Sequence, residues 1–143
     1  MSTTVMKAAC GILAVMMLAL AACGESAEDK AKTTVCNARD DIGKQVADLK
    51  SLTPATVTKD AVTKNLDAIK KDIKDISGAQ SDLSSDRRSE VESANKAFAS
   101  SFRQTADELG SSLSASDAKA AIVTALQQLQ ASYKKTLEPV NCD

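Results

Sequence analysis

The sequence of 143 residues carries 18 Lys and Arg, 19 Asp and Glu and no His, which gives a net charge of −1. This balance, without a clustered basic stripe, argues against a nucleic-acid-binding surface, and we expect no nucleic-acid partner. Gly and Pro are scarce, at five and two residues, and the aromatic residues are two Phe and one Tyr. Such a composition favours an all-α fold with an aliphatic, Ala-rich core over a β-sheet.

The first 22 residues have the layout of a secretory signal peptide. A short polar segment with a positive charge at Lys7 precedes an apolar run over residues 8–20, which ends in the small residues Ala21 and Ala22. That order of segments is typical of a signal peptide. Together with Ala21 and Ala22 the run spans about 15 residues, fewer than the roughly 20 that a membrane-spanning helix needs. We therefore predict a removable signal peptide over residues 1–22 and not a transmembrane anchor.

The signal ends in Leu20-Ala21-Ala22-Cys23, which resembles the lipobox of bacterial lipoproteins. The resemblance implies that the Cys23 sulfur receives a diacylglycerol and that cleavage before Cys23 makes it the mature N-terminus. Fatty acyl chains such as palmitate contribute about 0.8 kcal/mol of membrane affinity for each buried methylene. The resemblance thus implies an extracytoplasmic protein, anchored by lipid to a membrane of the cell envelope. The alternative is an ordinary secreted protein that is cleaved nearby and keeps a free Cys23 thiol.

Two of the four cysteines remain once Cys10 leaves with the signal and Cys23 carries lipid. An even pair in an exported chain favours a disulfide, so we predict a bond between Cys36 and Cys142. A zinc site is disfavoured, because two cysteines without any histidine would need carboxylates to complete a tetrahedral set. A catalytic thiol is disfavoured as well, because no histidine is present to activate it. We expect no metal and no cofactor.

The remaining chain divides into a flexible polar tether, predicted over residues 23–30, and a helical bundle domain over residues 31–143. Four stretches of that domain place apolar residues at helical spacing. They predict helices that begin at 28–34, 54–59, about 86 and 114, and end near 50, 83, 109 and 138. Gly110 is expected to stop the third helix and Pro139 the fourth. The break between the second and third helices falls either at Gly78 or near Ser84.

The helix seams indicate which residues form the core. The second seam alternates spacings of four and three residues, as in coiled coils, over Val62, Leu66, Ile69, Ile73, Ile76, Gln80 and Leu83. The third runs through Val91, Phe98, Phe102, Thr105 and Leu109, with either Asn95 or Ala94 facing inward. Phe98 and Phe102 are expected to be core anchors, although they could instead line an apolar groove.

The predicted disulfide constrains the topology. Cys36 lies near the start of the first helix and Cys142 follows the last. With short connections, sequential helices pack antiparallel, so an even number of helices brings these two cysteines to the same end. Three helices would separate them far beyond the roughly 7 Å Cα limit for a disulfide. The sequence therefore predicts an antiparallel up-down-up-down four-helix bundle that is closed by a terminal disulfide.

The whole layout of lipobox, tether, early cysteine and C-terminal cysteine resembles that of small helical envelope lipoproteins of actinobacterial type. The members of that group that share this layout have unassigned functions, so the resemblance implies a fold and a location but no mechanism.

We expect no enzymatic activity, because the chain lacks His and its carboxylates occupy no recognisable catalytic setting. An EF-hand-like spacing from Asp75 to Asp86 lacks the glycine and the final Glu of a calcium loop. The expected function is a non-enzymatic binding or structural module with an envelope protein or the cell wall as partner. The alternative is a lipid or acyl-chain carrier that uses the bundle interior, which calls for a cavity lined by Phe98, Phe102 and Leu109.

Overall fold

The computed structural model describes residues 24–113 and 119–143. All regular structure in this part of the chain is helical, which confirms the all-α prediction. Within these residues the elements are, in order, α1 (Ala27–Ser51), α2 (Lys59–Ala79), a 3₁₀ turn (Gln80–Asp82), α3 (Ser85–Ser112) and α4 (Lys119–Thr136). None of these described helices is long and apolar enough to cross a membrane. The predicted signal peptide, Cys23 and the predicted start of the last helix at Ser114 lie outside the described residues.

Helix α1 begins at a complete capping box. The Ser26 hydroxyl accepts a hydrogen bond from the Asp29 backbone N–H (3.1 Å), and the Asp29 carboxylate accepts one from the Ser26 backbone N–H (3.4 Å). This reciprocal pairing satisfies two of the N–H groups that a helix start leaves without partners. The helix consequently begins at Ala27, one residue before the predicted range of 28–34, and takes in residues 27–30 of the predicted tether.

Pro54 lies in the connection between α1 and α2. α1 ends at Ser51, and Thr58 caps α2 by accepting a hydrogen bond from the Ala61 backbone N–H (3.2 Å). Pro54 lies between these two points. Because it is outside both helices, its lack of a backbone N–H costs no helical hydrogen bond. Val57 in the same connection is only 7% exposed, so the loop packs onto the core.

Helices α2 and α3 are separated near Ser84, the second of the two positions that the sequence left open. α2 continues through Gly78, and the 3₁₀ turn then leads to Leu83, which is buried. Ser84 occupies the cap position of α3 without a side-chain cap hydrogen bond. Its backbone N–H donates to the Glu28 carboxylate of α1 (3.2 Å), so the α2–α3 connection is joined to the start of the first helix.

The prediction that Gly110 ends α3 is wrong. The helix continues to Ser112, and no described glycine adopts a positive φ. The Leu113 N–H donates to the Leu109 carbonyl (2.8 Å), and the Leu113 side chain packs against the core. This apolar contact offsets the roughly 1 kcal/mol by which glycine disfavours a helix interior.

The helices pack through the apolar seams that their spacing predicts. Every apolar residue of those seams is either buried or packed against the buried cluster. Asn95 is buried at its step of the α3 seam, with 4% exposure, and Ala94 is partly buried against the core beside it. Burial of each large aliphatic or aromatic side chain contributes roughly 1.5–3 kcal/mol. The largest fully buried ones include Phe98, Ile42, Leu49, Ile69, Ile76, Leu109, Leu126 and Leu129.

The predicted disulfide is present: Cys36 and Cys142 are bonded, with their Cα atoms 5.7 Å apart. Further hydrogen bonds hold the C-terminal segment in place around it. The Arg39 guanidinium donates to the Val140 carbonyl and the Arg87 guanidinium to the Asn141 carbonyl, each at 2.6 Å. The start of α1, the α2–α3 connection and the C-terminal segment therefore meet, and we call this region, residues 26–36, 80–88 and 137–143, the disulfide end.

Helices α1 and α4 approach closely because α1 carries a glycine at the contact. A Cβ atom built at Gly43 would lie 2.6 Å from the Tyr133 hydroxyl oxygen. That hydroxyl donates to the Arg39 carbonyl (3.2 Å), and the tyrosine ring meets Phe98 edge-on at a centroid distance of 6.1 Å. The ring is held on both sides, so it has little freedom to yield to a larger residue at position 43.

Asp72 of α2 is a carboxyl group in an unfavourable setting. The residue is 9% exposed, and its side chain makes no hydrogen bond within the described part of the chain. Loss of hydration raises the pKa of this carboxyl above its ordinary value of 3.8, and the charges of Asp41 and Asp75 raise it further. Attraction to Lys71 acts in the opposite direction and does not cancel the effect of burial.

Gly43→Ala is expected to destabilise the protein relative to Gly78→Ala. Gly43 lies in the interior of α1 and Gly78 in the last turn of α2, so alanine gains at most about 1 kcal/mol of helix propensity at each. At Gly78 the added methyl meets no atom within 4 Å. At Gly43 it displaces Tyr133, and overpacking of this kind costs about 1–3 kcal/mol. Thermal or urea unfolding of both variants measures the difference, and equal stability of the two would contradict the role of Gly43.

Asp72→Asn is expected to raise the free energy of unfolding at neutral pH and leave it nearly unchanged at pH 3. The pKa of Asp72 is higher in the folded protein than in the unfolded chain, where it is 3.8. The protonated carboxyl therefore contributes stability below pH 3.8, and this stability is lost as the pH rises through the folded-state pKa. Asparagine does not ionise and avoids that loss. Urea unfolding at several pH values measures the effect. The exposed Asp48→Asn serves as control, and a parallel gain there would refute the explanation.

Candidate functional site

The principal concave surface of the described residues lies between α2 and α3, which make the least extensive backbone contact of the neighbouring helix pairs. An opening of about 450 Å³ lies between the start of α2 and the end of α3. Its apolar floor is formed by Leu66, Phe102, Ala106 and Leu113. A smaller, almost wholly apolar depression of about 140 Å³ adjoins it at Ile73 and Ala99.

A third depression, of about 250 Å³, lies on the same side of the two helices toward the disulfide end. Arg103 lines all three depressions, so they form one continuous surface, which we call the α2/α3 groove. We call the third depression the polar subsite. It is lined by Ile73, Ser77, Gln80, Glu92, Asn95, Lys96, Ala99 and Arg103.

The polar subsite contains a buried amide with a fixed orientation. The Asn95 Nδ2 group donates to the Ile73 carbonyl (3.2 Å) and to the Ser77 Oγ atom (2.9 Å). Ser77 in turn donates its hydroxyl proton to the Ile73 carbonyl (3.0 Å). Reversing the Asn95 amide would place its oxygen against that carbonyl, so the orientation follows from the surrounding acceptors.

Two buried acceptors in this subsite have no hydrogen-bond partner. They are the Oδ1 atom of Asn95, whose residue is 4% exposed, and the Oε1 atom of Gln80. A buried polar atom without a partner costs roughly 1–3 kcal/mol of stability. An amide oxygen can only accept hydrogen bonds, so the Asn95 oxygen, whose orientation is fixed, is complementary to a group that donates one.

Charged side chains surround the apolar floor of the groove. The cationic ones are Lys59, Lys70, Lys74, Lys96 and Arg103, and the acidic ones are Asp67, Glu92 and Asp107. None of these side chains takes part in an ion pair or hydrogen bond with another described residue. The ion pairs within the described ranges lie elsewhere and include one between Lys71 and Asp75 (2.6 Å).

The predicted disulfide cysteines lie at a different surface from the groove. Cys36 and Cys142 border an open depression of about 570 Å³ beside Glu25, Asp29 and Lys32. The predicted lipidation site, Cys23, lies outside the described residues. Cys36 and Cys142 are consequently structural partners that close one end of the domain.

The interior cavity that an acyl-chain carrier calls for is not found among the depressions of the described residues. Phe98 and Leu109 are both 0% exposed and belong to the packed core. The Phe98 and Phe102 rings lie 6.5 Å apart, and of the three residues only Phe102 reaches the groove. Phe98 therefore confirms the expectation of a core anchor, whereas Phe102 combines packing with a place at the groove floor.

Metal binding finds no structural basis in the part of the chain that the structure describes. No group of three or more Cys, His, Asp or Glu residues converges there to hold an ion. The segment from Asp75 to Asp86, which has the length of a calcium loop, is formed by the end of α2, the 3₁₀ turn and the start of α3.

The sequence located both amides of the polar subsite on helix seams but did not bring them together. Asn95 was one of two candidates for an inward-facing position, and Gln80 was assigned to the α2 seam. The available signal was their placement on the seams of two consecutive helices, because such seams face each other when the helices form a hairpin. A sequence does not show which buried acceptors lack a hydrogen-bond donor, because that depends on which donors the packing brings near them.

Comparison of the chain with protein-family models, with curated proteins and with solved structures finds no match.

Proposed function

We propose that this protein is a lipid-anchored component of the cell envelope that acts outside the cytoplasm as a non-enzymatic binding module. The support for export and anchoring is the signal-like segment over residues 1–22 and the lipobox-like Leu20-Ala21-Ala22-Cys23. A disulfide between Cys36 and Cys142 agrees with an oxidising compartment. The α2/α3 groove supplies the binding surface for an envelope protein or a cell-wall component.

We also infer an antiparallel up-down-up-down bundle as the arrangement of the four helices. Each helix contacts its neighbour in sequence, and α1 also contacts α4, whereas α1 with α3 and α2 with α4 make no backbone contact in the described ranges. A closed ring of four gives this pattern. The disulfide end supports the same arrangement. Residues 26–36, 80–88 and 137–143 meet there, as they do when four successive helices alternate in direction.

The observation that carries the binding proposal is the combination of an apolar floor with unpaired charges at its edges. Binding surfaces are typically apolar at the centre and polar at the rim. In the groove, Leu66, Phe102 and Leu113 form the floor of the largest of its three depressions. The surrounding lysines, together with Arg103, give the rim an excess of positive charge, so we expect the partner to present polar or acidic groups there.

Acyl-chain transport is a second candidate, and the almost wholly apolar depression at Ile73 and Ala99 is the observation that favours it. The groove is open to solvent along its length and has charged edges, whereas lipid sites enclose most of the ligand surface. We therefore place binding of an envelope component first.

Cys23→Ser is expected to abolish acylation and to release the protein from the membrane fraction. Serine has no thiol to receive a diacylglycerol, and the methylenes that hold the chain to the bilayer are lost with it. Mass spectrometry of the N-terminal peptide and detergent phase partitioning measure the two effects. Cys10→Ser, inside the predicted signal, is the matched control and should leave both unchanged. Membrane association of the Cys23→Ser protein would overturn the anchor.

A photoreactive residue at position 106, in place of Ala106, is expected to crosslink a partner in intact cells. Ala106 lines the groove, whereas Ala97 is exposed on the opposite face of α3 and serves as the control position. Adducts identified by mass spectrometry should form from position 106 and not from 97. Equal labelling from the two positions would remove the groove as the binding surface, and adducts with lipid alone would favour the carrier.

A further inference from the structure

The two unpartnered acceptors, Asn95 Oδ1 and Gln80 Oε1, are buried atoms of two residues that line one depression, Asn95 in α3 and Gln80 in the 3₁₀ turn. The inner face of Asn95 is fully engaged with Ile73 and Ser77, so its oxygen is the part left for an external donor. Water can fill such a site when it is polar and large enough. A ligand that displaces that water loses affinity unless it makes the hydrogen bonds that the water made.

The charges around the subsite restrict the chemistry of the ligand. Lys96 and Arg103 both line it, and two neighbouring cations disfavour an ammonium group. Glu92 also lines it, and together with the two amide oxygens it disfavours an anion, because all three are acceptors. A neutral ligand that donates and accepts hydrogen bonds meets both requirements.

Hydroxyl groups have this dual character, since each donates one hydrogen bond and accepts others. Their protons can satisfy Asn95, Gln80 and Glu92, while their oxygens accept from Lys96 and Arg103. The side chains of Ile73 and Ala99 provide an apolar patch in the same depression for C–H groups. The volume of about 250 Å³ equals that of roughly eight water molecules at about 30 Å³ each, which accommodates one six-membered sugar ring.

We propose that the polar subsite binds a neutral, hydroxyl-rich ring, namely one sugar unit of an envelope glycan or of a glycolipid headgroup. The inference rests on the proposed function in that it uses the same groove, and it names the chemistry that is recognised at its polar end. Asn95 and Gln80 accept hydrogen bonds from ring hydroxyls. The apolar part of the groove receives the portion of the glycan or lipid that continues from the ring.

Saturation-transfer NMR of the full chain in lipid nanodiscs, with methyl glucoside as the probe, tests the subsite directly. The expected result is transfer to the sugar protons above that of empty nanodiscs, with a dissociation constant in the millimolar range. Ethanolamine and inorganic phosphate are the charged comparators and should not displace the glucoside. Two further arms separate the sources: an oligosaccharide of N-acetylglucosamine, and nanodiscs containing a monohexosyl diacylglycerol. Whichever of these two, the oligosaccharide or the glycolipid, displaces the free glucoside at the lower concentration identifies the class of molecule that carries the bound sugar.

Gln80→Met is the decisive variant, because it keeps the side-chain volume and removes one acceptor while Asn95 keeps its inner hydrogen bonds. It should weaken glucoside binding about three- to tenfold, the effect of one neutral hydrogen bond. Asn95→Leu should abolish binding, with circular dichroism to check that the helices remain. Gln128→Met, at an exposed position on α4, is the matched control and should bind as the parent does.

The proposal is overturned if the glucoside shows no transfer above empty nanodiscs, which would mean that water alone occupies the subsite. It is equally overturned if Gln80→Met binds as the parent does, or if ethanolamine or phosphate displaces the sugar. None of these results affects crosslinking from position 106 or acylation at Cys23, so the sugar subsite and the wider function are refuted separately.

Discussion

The covalent bond between Cys36 and Cys142 is the constraint on which the rest of the domain depends. It joins residues 106 positions apart in the sequence. In the chain-entropy model, closing a loop of that length stabilises the folded state by roughly 4–5 kcal/mol, a large share of the net stability of a small domain. The core it supports is modest, with aliphatic side chains, alanines and few aromatic rings. The bond also keeps α1 beside the C-terminal segment, where Arg39 holds the Val140 carbonyl.

The opposite side of the molecule is built differently. α1 and α4 are held by the disulfide and by the close approach at Gly43, whereas α2 and α3 are held by a short connection and by the hydrogen bonds of Asn95, and they pack less extensively. Their contact includes a buried amide with an unsatisfied oxygen, where an apolar residue would pack without that cost. In natural proteins, buried polar groups that lack hydrogen-bond partners are found mainly at functional sites. The groove therefore lies where the fold is least constrained and where its polar groups are least satisfied.

Much of the fold follows from the sequence, because four apolar seams and two cysteines leave few arrangements. The spacing of Ile69, Ile76 and Leu83 identified the buried face of α2, and the proline at position 54 marked a connection. The helix ends were harder to predict. Gly110 carries a stop signal that the downstream contact of Leu113 overrides, and Ser26 begins a helix inside a stretch too polar to suggest one. The groove could not be predicted, because it arises from incomplete contact between two helices and not from any residue pattern.

The capping box at Ser26 also fixes how far the domain can extend. Only Gly24, Glu25 and Ser26 separate the first helical residue from Cys23, and an extended chain covers at most about 3.3–3.6 Å per residue. With a lipid on Cys23, the disulfide end would stay within roughly 10 Å of the headgroups, and the 25 residues of α1 would reach about 37 Å further. The polar subsite lies toward the disulfide end, which the proposed lipid on Cys23 would hold near the bilayer. A ligand would then be bound in the layer immediately above the bilayer. Because the anchor would confine diffusion to the membrane plane, the protein would search for that ligand in two dimensions.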